Sequence, residues 1–135
     1  MLTGCGGLPD EYDLIAARED DFYLLKDGSI IVEPTIVDCV IEKAYFIGLS
    51  LSSVKLECDE GASYKIKLLN QRSFFILNMS NEVYQQFNDM DSFNEALSKA
   101  EFVDGVKLDI DKFDTVWNKY SEYYNKMDFT NCNLQ

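Results

Sequence analysis

Histidine is missing from this chain altogether. Its absence excludes Ser–His and Cys–His hydrolase machinery, histidine-ligated zinc and imidazole proton transfer in one step. Other signatures are missing too: there is no Walker loop, no G-x-G-x-x-G fingerprint and no G-x-S-x-G elbow. Basic residues are scarce, with Lys and Arg totalling 12 against 24 Asp and Glu, a formal charge of −12. The sequence pI is near 4.2. A surface of that sign repels a phosphate backbone and an anionic bilayer face, so nucleic acid is excluded as a partner and unaided membrane binding is disfavoured. No apolar run approaches the roughly 18 residues of a membrane-spanning helix, and no internal repeat or low-complexity tract occurs.

The acids that remain do not signal an enzyme. With 24 of them, two carboxylates meet by chance on any fold, and a glycosidase pair has no sequence spacing of its own. Asn88–Asp91 and Asp109–Asp111 gather oxygen atoms but lack the glycine and terminal glutamate of a calcium loop. The expectation is a binding protein with no catalytic residues, no metal and no cofactor.

What is present suits one domain. The chain has 135 residues, 47% of them hydrophobic, enough for a single core. Tyr12–Ala17 and Asp21–Lys26 read as strands. Asp27-Gly28 is a tight-turn pair leading into Ser29–Glu33, which Pro34 is expected to end. Thr35–Glu42, Ala44–Leu51, Val54–Cys58, Ser63–Leu69 and Ser73–Asn78 follow as strands at short spacing, with Asn70–Arg72 bending the chain. Ser92-Phe93-Asn94-Glu95 reads as a capping box opening a helix whose Phe93, Ala96, Leu97 and Ala100 share a face. A longer helix starts at Asp111, with Phe113, Val116, Trp117, Tyr120, Tyr124 and Met127 as its apolar stripe. The fold class is α+β: an antiparallel sheet, meander or sandwich, over residues 12–80, then two C-terminal helices packing on it. Residues 1–11 are read as a tether, 12–128 as the globular domain and 129–135 as a tail.

Leu2-Thr3-Gly4-Cys5 resembles the lipobox of bacterial lipoproteins. That resemblance implies a diacylglyceryl group on Cys5, with Gly6 and Gly7 as a flexible tether behind it. The full-length form would then be periplasmic and held to the membrane by its lipid. An export signal needs an apolar stretch of about 7–15 residues, and only four residues precede Cys5. As given, then, the chain is expected to remain cytosolic, from an internal start at Met1 or a shortened signal. Of the other cysteines, Cys39 and Cys58 form either a bridge or two half-buried thiols, and no C-x-x-C pair marks a thiolate metal site.

Asp10, Glu11, Asp13, Glu19, Asp20 and Asp21 crowd one short stretch whose only base is Arg18. Such a run is either a solvated rim or an electrostatic handle for a basic partner. Asp109 belongs to a second acidic cluster, near the long helix. In size, charge and layout the chain resembles the immunity lipoproteins that guard the bacterial envelope, in particular inhibitors of type VI phospholipase effectors. The resemblance implies a cognate toxin with a basic contact face, neutralised by occlusion of its active site. A structural or assembly lipoprotein is the competing reading. A small-ligand carrier using Trp117 and Tyr120 is the third.

Overall fold

The computed structural model describes residues 5–16, 22–102, 106–125 and 129–134. Among these, seven strands form one antiparallel sheet in the order β1-β2-β3-β4-β5-β6, with β7 beside β4. The strands are β1 (Tyr12–Ala16), β2 (Phe22–Lys26), β3 (Ser29–Glu42), β4 (Tyr45–Cys58), β5 (Ser63–Asn78), β6 (Val83–Phe87) and β7 (Cys132–Leu134). Two helices, α1 (Met90–Lys99) and α2 (Asp111–Asn125), lie between β6 and β7. The α+β architecture is therefore a meander with two helices packed on it.

The β2–β3 hairpin turns at Asp27 and Gly28, both at positive φ (50° and 83°), which matches the right-handed twist of the flanking strands. Three strands run longer than their sequence segments suggest. β3 passes through Pro34 instead of stopping there. The reason lies in its register: Leu24 pairs with Val32 but Phe22 with Ile36, so β3 carries extra residues there and Pro34 falls in an irregularity. β5 likewise absorbs the bend at Asn70–Arg72, because Leu51 pairs with Arg72 while Ser53 pairs with Leu68. Each shift bends a long strand without ending it.

The sheet is covered on both faces. On one, Val37, Ile47, Leu49, Leu68, Phe74 and Ile76 meet Phe93 and Leu97 of α1 and Phe113 and Val116 of α2. On the other, Leu24, Val32, Ile36, Phe46, Phe75 and Leu77 form a second core with Tyr12 and Met79. This second core exists because the sheet coils. Its first strand returns to the β5–β6 turn, where the Tyr12 hydroxyl donates to the Met79 carbonyl at 3.2 Å and Lys26 pairs with Glu82.

α1 begins earlier than the capping-box reading implies. Asp89 is the N-cap, its carboxylate accepting from the Ser92 N–H at 2.7 Å and from the Ser92 hydroxyl at 3.0 Å. Ser92 is thus the donor, not the cap. The predicted face holds: Phe93 and Leu97 are buried, and Ala96 and Ala100 pack beside them. α2 starts at Asp111 as expected; its Phe113 and Val116 are buried and Trp117 is partly so.

The cysteines correct two expectations. Cys5 bridges Cys39, and Cys58 bridges Cys132. Cys39 and Cys58 do not pair with each other, since they stand at different places in the sheet: Cys39 opposite Gly48, Cys58 opposite Ser63 and Cys132. Cys5 is buried in the core beneath the hairpin, and a sulfur bonded to Cys39 has no thiol to accept a lipid. In this form residue 5 is a structural half-cystine and not an anchor point. The predicted tail, in turn, contributes β7 to the sheet.

Candidate partner-binding surface

Three residues of the predicted acidic handle, Asp10, Glu11 and Asp13, fall among the described residues. Tyr12 points inward from β1 and anchors on Met79, so Asp13, its neighbour along the strand, faces outward. Asp10, Glu11 and Asp13 are all exposed. Asp27, also exposed, joins them, its N–H donating to the Glu11 carbonyl at 2.9 Å. Glu19, Asp20 and Asp21 lie outside the described residues, as do Leu2, Thr3 and Gly4 of the lipobox-like segment. Among the described residues β1 ends the strand order on its side, with Asp13 on it and Asp10 and Glu11 just ahead of its start.

Arg18 lies outside the described residues; the described base nearest this rim, Lys26, is already engaged. The Lys26 ammonium pairs with Glu82 and lies 5.5 Å from the Tyr12 ring centroid. The hydrogen bond to Glu82 raises the Lys26 pKa, and burial raises that of the Tyr12 phenol. Neither group changes charge near neutrality, which leaves the rim negative.

Asp109 belongs elsewhere. It sits on the helix-covered face, ahead of α2, where its own carboxylate accepts from the Asp111 N–H at 3.1 Å. Its backbone N–H donates to Asp38 at 2.7 Å. The structure therefore does not join Asp109 to the β1 acids, whose strand packs on the opposite core. Asp38 itself was not legible as special. It is buried, holds Lys112 at 3.1 Å and ties the start of α2 to β3.

The other edge has a different chemistry. β6 carries Val83, Tyr84, Gln85, Gln86 and Phe87, and Val83 and Tyr84 are 52% and 40% exposed. A recess of about 460 Å³ lies on its helix side, lined by Tyr45, Ile76, Val83, Gln85, Phe87 and Ala96 among others. A second of about 420 Å³ lies on the other side, lined by Ile31, Ser50, Ser52, Ser53, Tyr84 and Gln86 among others. Trp117 lines neither recess. The signal for this edge was the run of uncharged residues from Val83 to Asn88 in a strongly acidic chain.

No protein-family model, curated protein or solved structure matches the chain. Among the described residues, no group of three or more acids or cysteines is placed to hold a metal ion. No described helix is long and apolar enough to cross a membrane.

Proposed function

We propose that this protein is a stoichiometric inhibitor, an immunity protein that covers the active-site entrance of a secreted antibacterial effector with a basic contact face. The observation that carries this reading is the β1 rim: exposed Asp10 and Glu11 leading into a strand at the end of the described sheet order, with exposed Asp13 on it and Tyr12 anchored beneath. A fixed rim of one charge sign speeds capture of an oppositely charged partner and rejects others. Two disulfides support work in an oxidising compartment such as a periplasm, where bridges persist. With Cys5 engaged in a bridge, the lipid-anchor argument that singled out membrane-acting phospholipases loses its support. The proposal accordingly concerns basic effectors as a class, with phospholipases as one member.

The test is calorimetric titration against the product of the adjacent gene. A standard-sized interface and affinity in the nanomolar range or better are the expected result. Replacing Asp10 and Asp13 by Asn and Glu11 by Gln should slow association at least several-fold, and added salt should do the same to the wild type. Absence of binding at micromolar concentration contradicts the proposal.

A further inference from the structure

We propose that the recess between β4 and β6, on the face away from the helices, is a binding site for a neutral sugar ring. It forms where the second core stops. In successive rows of that face Phe46 stands opposite Leu77, Gly48 opposite Phe75 and Ser50 opposite Ser73. The Phe74–Phe87 pair brings Asn88 level with Ser73 in turn. Bulk therefore gives way to a row of small polar residues. The opening they leave is about 420 Å³, within the ordinary range of small-molecule sites.

The floor is fixed by hydrogen bonds. Ser50 and Ser73 are 7% and 0% exposed, and the Ser50 hydroxyl donates to the Ser73 carbonyl at 3.4 Å. The Gln86 side-chain amide donates to the Ser73 hydroxyl at 2.7 Å. That bond orients the Gln86 carboxamide and leaves its oxygen and second N–H for a ligand. Ser52, Ser53 and Asn88 also line the recess, and their side chains make no hydrogen bond among the described residues. A register shift between Leu51 and Ser53 breaks the alternation of β4, so consecutive positions reach the same recess.

The lining selects the ligand class. Hydroxyls and carboxamides both donate and accept, which suits a ligand that does the same at several adjacent positions. None of the described residues lining the recess is charged. An anion meets no cation there and is opposed by the formal charge of −12; a cation meets no carboxylate. Tyr84, its ring stacked on Phe75 at 5.9 Å between centroids and 40% exposed, supplies an aromatic wall for the C–H face of a sugar. A neutral pyranose satisfies all of these. The recess on the helix side of β6 has Glu95 and Lys99 in its lining and lacks that selectivity. The β1 acids lie at the far end of the strand order, so sugar binding and effector capture stand or fall separately.

The test is titration of the isotope-labelled full chain with glucose, galactose, mannose and N-acetylglucosamine, followed by amide chemical shifts. A single ring in an open recess corresponds to a dissociation constant of about 1 mM. The expected result is saturable shifts centred on Ser50–Ser53 and Tyr84–Asn88 with at least one of these sugars. Its uronic acid and its amino sugar should bind several-fold more weakly. Ser52→Val exchanges a hydroxyl for a methyl while keeping a residue type that suits a strand; it should weaken binding several-fold, and Ser52→Thr should restore it. Tyr84→Ala should weaken it through loss of the aromatic wall. No saturable shift at tens of millimolar with any of these sugars overturns the proposal. So do shifts centred on Glu95 and Lys99, equal binding of the charged sugars, or wild-type affinity in Ser52→Val. Should Ser52→Val fail to fold, Tyr84→Ala and the wild-type shift pattern still decide.

Discussion

A carboxylate with 6% exposure must find donors, and Asp38 finds the Asp109 N–H and the Lys112 ammonium. Replacing it by alanine leaves both unpaired at the junction of β3 and α2. The expected cost is about 2–3 kcal/mol in a urea titration. Lys112→Ala should cost less, because Lys112 keeps a third of its side chain in water. Gly48 is the second residue with no tolerance. It stands opposite Phe75 in β5 and Cys39 in β3. A Cβ there would drive into the Phe75 ring and come within 2.9 Å of the Asp38 carbonyl oxygen. Gly48→Ala should therefore destabilise by about 1–3 kcal/mol through overpacking, measurable in the same titration.

Titration at this scale has a definite sign. The folded pKa of Tyr12 is raised by burial and that of Lys26 by its hydrogen bond to Glu82. A raised folded pKa means stability that is complete below the unfolded value and lost as pH rises through the folded one. Stability should hold through neutrality and decline in strong alkali, with Tyr12→Phe flattening part of the decline. Asp89 has the opposite sign, its pKa lowered by the backbone and side-chain hydrogen bonds from Ser92. Its capping contribution is present above the unfolded carboxylate value and disappears as pH falls below it, so α1 amides should exchange faster in acid than those of α2.

Among the elements, long bent strands explain most of what was hard to read. The runs of apolar and alternating residues located the segments of β1 to β5, and Asp27-Gly28 marked its hairpin, because those signals are local; β6 (Val83–Phe87), beyond the predicted sheet, was not read. Continuity through Pro34 was not legible, since it depends on two extra residues of β3 between the Val32 and Ile36 pairings with β2. The cap of α1 was misread by three residues because Asp89 and Ser92 are both good capping types, and only the bond direction separates them. β7 escaped notice for a different reason. A three-residue strand carries little periodicity, and its place beside β4 depends on a bridge spanning 74 residues. Removing that bridge with paired Cys58→Ser and Cys132→Ser changes should release β7 and lower stability by about 4 kcal/mol on the loop-entropy estimate. Thermal unfolding measures the loss, and peptide mapping without reductant should recover the two native cysteine pairs from the wild type.

For the whole molecule, the coiled sheet has two unlike edges, an acidic one at β1 and a neutral one at β6. Composition foretold the acidic character, and Asp10, Glu11 and Asp13 did end up together. Asp109 did not, because nearness to a helix in sequence says nothing about which face of a sheet that helix covers. Cys5 bridges a distant partner, Cys39, a connection no spacing rule contains. In combination, the acidic rim and the two staples are the features on which the proposed inhibitor role rests.

The most direct measurement is a titration of the adjacent gene product's own catalytic activity with the oxidised protein. The expected result is a linear fall to zero at one equivalent, with the endpoint blunted when Asp10, Glu11 and Asp13 are neutralised. Undiminished effector turnover at excess inhibitor would contradict it.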